Sequence, residues 1–266
     1  MTLTLGDGPL ASRSPDTVNY QIDGPKHRLF WHPFPRRVRA VFGNQVVLDS
    51  TRAKLLHESN LLPQLYVPYA DIRAELLEAS THRTHCPFKG DAAYQSVRVG
   101  ERIAQNAVWS YPDPIDSAAW LAGHLAVYWD LMDAWFDEDD EVFGHIRDPY
   151  HRIDVRHTSR HVRIVASGTD ISESRRALLL SETGLPNRFY LPAADVRLEY
   201  LVPSATHTVC AYKGQASYRT LRVNDTVIED AVWFYPEPLA DAHQIAGYLC
   251  FLADGVRTWV DGTQID

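Results

Sequence analysis

Two lysines pose the first chemical question in this chain. Lys89 lies in "THCPFKGDAAYQSV", running from Thr84 to Val97, and Lys213 lies in "TVCAYKGQASYRTL", from Thr208 to Leu221. Both read T-x-C-x-x-K-G-x-A-x-Y, 124 residues apart. A lysine before glycine and beside an alternating strand can project into a pocket. Desolvation there lowers its pKa and makes it a base, a nucleophile or an anion anchor. The plainer reading is a turn lysine, exposed or paired with a carboxylate. Tyr94 and Tyr218 follow the glycine by four. Their hydroxyls could serve as acid–base or orienting partners of the lysines, unless their rings are simply core. Cys86 and Cys210 precede the lysines by three. A nearby ammonium favours thiolate, but a free cysteine in a strand behaves mainly as a small core residue.

Other paired residues could complete such a site. Glu58 and Glu182 are candidate proton partners. Arg52 and Arg176 form either structural ion pairs or a bidentate grip on a carboxylate or phosphate. Asp71 and Asp195 follow Pro-x-Ala, where a turn-stabilising role fits. Tyr66 and Tyr190 are candidate lining residues. Trp109 and Tyr111, like Trp233 and Tyr235, alternate along a strand and share one face. They make an aromatic ladder or a stacking wall for a ligand. His82, His85 and His124 face Thr206, Val209 and Tyr248, so imidazole chemistry, if confined to one copy, favours the first. No C-x-x-C occurs, and one cysteine per motif cannot supply a four-ligand zinc site. No metal and no cofactor are expected.

Shifting the sequence by 124 lays residues 24–142 on 148–266 without a gap, with 43 of 119 positions identical. A repeat of this length is a whole domain. The expected organisation is an extension over 1–23, domains over 24–142 and 148–266, and a linker over 143–147 beside the acidic run Asp137–Glu141. Alternating apolar residues around Gly43-Asn44 and Asn224-Asp225 predict hairpins. "RALLLSE" and "RFYLP" flank another turn, and "DVRLEYLV" (Asp195 to Val202) alternates like a strand. "PLADAHQIAGYLCFLA" (Pro238 to Ala253) has helical spacing after a starting proline. Each domain is thus expected to be mainly β, an antiparallel unit with one short helix near its C-terminal end.

"SRRALLLSETGLPNRFYLPAADVRLEYL", the K-G-x-A-x-Y core and the downstream "AVWSYPDP" and "AVWFYPEP" resemble the DUF427 family, here in tandem. The resemblance covers nearly the whole chain after residue 23. It implies a β-tent-like fold, two antiparallel sheets packed at an angle. It implies no function. A nucleotidyltransferase-type label attached to the family finds no support here, because the chain has neither a glycine-rich phosphate loop nor a paired-aspartate metal motif. The first repeat departs from the family pattern at "STRAKLLHESNLLPQLYVP", so the two pockets need not hold the same thing.

Composition narrows the classes further. A net charge of −8 argues against a general nucleic-acid or anionic-membrane partner. The basic stretch from Arg28 to Arg39 is read as a strand edge and its approach. No apolar run reaches membrane-spanning length and no secretion signal is evident. Three cysteines make a disulfide framework improbable, and a cytoplasmic protein is the default expectation. The leading expectation is a small-molecule-binding protein whose two repeats form an intrachain pseudo-dimer, with metal-independent acid–base chemistry at Lys89, Tyr94 and Glu58 or Lys213, Tyr218 and Glu182. The alternatives are a non-catalytic binding or scaffold module and a zinc-stabilised interaction domain.

Overall fold

A computed structural model describes residues 3–4, 8–11, 17–19, 21 and 23–265. The chain divides into two compact units, Met1–Tyr150 and His151–Asp266. Each contains a seven-stranded and a four-stranded antiparallel sheet.

In the first unit the large sheet runs, in spatial order, Leu29–Pro33, Lys54–Glu58, Gln64–Pro68, His124–Val127, Arg102–Ser110, Gly90–Val99 and Leu77–Cys86. The small sheet orders Asp140–Val142, Ala134–Asp137, Val38–Phe42 and Gln45–Ser50. The second unit repeats this plan. Its large sheet runs Ile153–His157, Leu178–Glu182, Arg188–Pro192, Tyr248–Phe251, Thr226–Phe234, Gly214–Val223 and Leu201–Cys210. In both units the described part of the fold is strand-rich with only short 3-10 turns, as the alternating patterns predict. The Gly43-Asn44 hairpin forms with φ of 58° and 61°, the pair of positive values that a type I′ turn requires. The Asn224-Asp225 turn likewise joins two strands, with Asn224 at φ 51°.

The central strands of the large sheet are buried on both faces. Leu55, Val67 and Leu125 point into one core with Val38, Leu48 and Trp135, while their neighbours Leu56, Tyr66 and Ala126 point into a second core with Ala92, Tyr111 and Leu121. Side chains alternate across a strand, so a doubly covered strand shows paired apolar residues instead of a clean alternation. The second unit has the same division, with Leu191 and Leu249 on one face and Tyr190 and Cys250 on the other. The aromatic candidates Tyr66, Tyr94, Trp109 and Tyr111, and their counterparts Tyr190, Tyr218, Trp233 and Tyr235, lie on this second face.

Two sequence expectations are corrected. "DVRLEYLV" does not form a strand from Asp195. It makes the 3-10 turns Ala193–Asp195 and Leu198–Tyr200, and the strand begins at Leu201. The alternation was misleading because Arg197 spends its backbone N–H on Ile171 O (2.9 Å) and Tyr200 N–H bonds back to Arg197 O (3.3 Å). The helix expected over Pro238–Ala253 is one 3-10 segment, Ala240–Ile245, and Tyr248–Phe251 is a buried strand. Gly247 at φ 78° separates them, and a four-residue apolar run fits either periodicity. The basic stretch after Arg28 is a strand edge and its approach, as expected: Leu29–Pro33 is the edge strand, and Arg36, Arg37 and Arg39 are paired with Asp137, Asp49 and Asp139.

Candidate functional site

The lysine of each motif ends a tight turn after the strand that carries the cysteine. Lys89 N–H bonds Cys86 O at 3.2 Å, and its own carbonyl accepts from Ile115 N–H at 3.1 Å. The next residue must be glycine. Gly90 has φ 105°, and a β-carbon there would lie 3.2 Å from the carbonyl oxygen of Asp113. Gly214, at φ 98°, stands 3.2 Å from Glu237 O in the same sense. The K-G pair and the downstream Y-P-x-P loop are therefore one packed unit, which explains why both recur together.

This turn aims the ammonium inward at a buried carboxylate. Lys213 Nζ donates to Glu182 Oε2 at 2.6 Å, and His151 Nε2 lies 2.9 Å from Glu182 Oε1. In the first unit Lys89 Nζ donates to Glu58 Oε2, and His27 Nε2 lies 2.8 Å from Glu58 Oε1. Each histidine also packs on the aromatic residue preceding the lysine: His27 stacks on Phe88 at 3.7 Å between centroids, and His151 lies tilted against Tyr212 at 4.1 Å. Lys89, Lys213 and Glu58 are buried. Burial pushes the Glu182 carboxyl up, but the hydrogen bond with His151 and the charge and hydrogen bond of Lys213 outweigh it and hold the group at about 2.

A pH dependence follows from that depressed value. The carboxyl has an ordinary value of 4.5 unfolded and about 2 folded. Its contribution is therefore fully present above about pH 4.5 and is lost as pH falls towards 2, on the order of 2 kcal/mol after screening. In urea unfolding, the stability gap between wild type and Glu182→Gln is expected to be widest above pH 4.5 and to close towards pH 2; a gap constant with pH would count against an ionised, paired Glu182.

The remaining motif residues also find partners. Tyr94 Oη and Thr84 Oγ1 are 3.0 Å apart, and Tyr218 Oη and Thr208 Oγ1 are 2.9 Å apart. The first and last letters of T-x-C-x-x-K-G-x-A-x-Y thus meet across the hairpin. Cys86 and Cys210 are free thiols packed against the second-face cores. Burial pushes the Cys250 thiol up to about 12, so it is inert at neutral pH. Trp233 Nε1 donates to Tyr190 Oη at 3.1 Å. Burial also raises the hydroxyls of Tyr66, Tyr111, Tyr190 and Tyr235, so these stay neutral donors.

Arg52 and Arg176 lie outside this group. Their guanidinia are largely exposed and pair with Asp71 and Asp195, which also accept from Ser50 Oγ (2.7 Å) and Ser174 Oγ (2.6 Å). The structure shows them in ion pairs, the first of the two roles that the sequence left open. His27 and His151, which sequence reasoning did not include in the site, occupy the place beside the carboxylate. Their signal was present in the repeat alignment, where His27 meets His151. Among the described residues, no three His, Cys, Asp or Glu side chains are grouped to hold a metal ion. No helix among them is long and apolar enough to cross a membrane.

The profile of the domain of unknown function DUF427 matches residues 31–138 and again 154–262. The chain belongs to the DUF427 family, in two tandem copies. No curated protein matches the chain. The two DUF427 domains share the Lys–Glu–His group but differ beside it. In the second, Glu182, Lys213, Tyr218, Trp233 and Tyr235 line a cleft of about 280 Å³, with Arg188 and Leu252 at its wall. In the first DUF427 domain the position of Leu252 is held by Tyr128 and that of Arg188 by Gln64. The Tyr128 ring lies 4.5 Å from Trp109 and its hydroxyl is close to that of Tyr94, so an aromatic side chain stands at the equivalent wall.

Proposed function

We propose that this chain is a small-molecule-binding protein whose ligand site is the cleft of the second DUF427 domain. The observation that carries this reading is the cleft itself, where Glu182, Lys213, Tyr218 and the Trp233–Tyr235 wall converge. Apolar walls with a few fixed polar groups are the usual make-up of a ligand pocket. Glu182 is ionised and engaged by two partners, so it serves as counter-ion and acceptor; it has no proton to give at neutral pH. That favours binding and orientation over general-acid catalysis. Tyr218 supplies a hydroxyl that can donate to a ligand or, in an enzymatic version of this site, relay a proton. The first domain, with the same Lys–Glu–His group and Tyr128 laid over its wall, acts as scaffold.

Small molecules retained by the full-length protein from cell extract, identified by mass spectrometry, test this reading. Wild type and Lys89→Met are expected to retain the same compound, and Lys213→Met to lose it. Tyr218→Phe, which removes a single oxygen from the cleft, is expected to lower the retained amount without unfolding the domain. Identical profiles across all four proteins would overturn the proposal.

A further inference from the structure

The charges around the cleft point to the class of ligand. Glu182 is its one lining carboxylate, and both oxygens are already engaged, by His151 and Lys213. Lys213 is thereby neutralised as part of a pair. Arg188, at the start of the strand Arg188–Pro192, also lines the cleft and is only half-buried. Its guanidinium has no hydrogen-bond or ion-pair partner among the described residues, whereas Arg176 of the same domain is matched to Asp195. The cleft therefore carries one uncompensated positive charge beside a wall built from Trp233, Tyr235, Leu180, Pro186 and Leu252.

We infer that the cleft binds a compact organic carboxylate, with Arg188 as its anion anchor and the aromatic wall against its apolar body. This rests on the ligand-binding reading of the same cleft and adds the ligand's charge and shape. A planar guanidinium offers two parallel N–H donors that match a carboxylate. A volume of about 280 Å³ suits a body of about one aromatic ring. The first domain, with Gln64 at this position, lacks the charge.

Titration of the full-length protein with phenylacetate, neutral phenylacetamide and inorganic phosphate, followed by calorimetry, tests the inference. Wild type is expected to prefer phenylacetate to its amide by about tenfold or more, and Arg188→Gln, which installs the side chain of the first domain, to remove that preference by weakening phenylacetate alone. Phosphate binding as tight as phenylacetate would overturn the role of the aromatic wall. Unchanged phenylacetate affinity in Arg188→Gln, with binding lost in Leu252→Tyr, would sink the anion anchor but leave the cleft as a ligand site. Unchanged affinity in both variants would sink both. Absence of phenylacetate binding to wild type up to about 10 mM, a free energy weaker than about −3 kcal/mol, would also overturn the inference.

Discussion

Glu58→Ala is expected to destabilise the first domain by about 3–5 kcal/mol, because it leaves a buried lysine without its counter-charge. Lys89 and Glu58 are only 8% and 6% exposed, and Glu58 also accepts from or shares a proton with His27. Removing the carboxylate strands both partners at once. Glu58→Leu combined with Lys89→Met is expected to cost much less, since a buried ion pair replaced by apolar groups of similar volume loses attraction and desolvation penalty together. Arg52→Ala breaks an ion pair of the same domain whose arginine side chain is 60% exposed, and is expected to cost about 0–1 kcal/mol. Urea unfolding followed by tryptophan fluorescence checks all three. Trp31, Trp109, Trp120, Trp129 and Trp135 lie in the first domain and only Trp233 and Trp259 in the second, so the signal reports mainly on the domain being altered. Equal, small losses for Glu58→Ala and Arg52→Ala would contradict the buried role of the Lys–Glu–His group.

Leu252→Tyr is expected to lower ligand affinity of the second domain by at least about 100-fold, or roughly 2.7 kcal/mol. The substitution transfers the first domain's own solution. There, Tyr128 sits beside Trp109 with its hydroxyl close to that of Tyr94. Trp233 and Tyr218 stand at the matching positions of the second domain, so an aromatic ring at 252 meets the same two neighbours. It would fill the space a ligand needs and engage the Tyr218 hydroxyl. Leu252 is 41% exposed and outside the buried core, so unfolding free energy is expected to change by less than about 1 kcal/mol. The loss would thus be one of binding and not of folding.

The fold was largely legible because the chain prints it twice. Self-comparison marks the domain length, and Gly43-Asn44 and Asn224-Asp225 announce their hairpins through the backbone angles that such turns demand. Short apolar runs were less informative: Tyr248–Phe251 reads as readily as helix as strand until the sheet that buries it is known. The site was legible in part. The K-G-x-A-x-Y motif, Glu58 and Glu182 were visible as identities between the repeats, but their contacts join residues 31 positions apart, which no local pattern encodes. His27 and His151 were equally identical and passed over because each stands alone before its first strand. Arg188 and Leu252 were invisible for the opposite reason. Searching for identity finds what both domains need in order to fold. The cleft depends on positions where they differ, Gln64 against Arg188 and Tyr128 against Leu252.

The most direct test of that division of labour is native mass spectrometry of the full-length protein purified with its retained ligand. One ligand per wild-type chain, and none on the Leu252→Tyr chain, is the expected result. Two ligands per wild-type chain, or one that persists in Leu252→Tyr, would contradict a single site in the second domain.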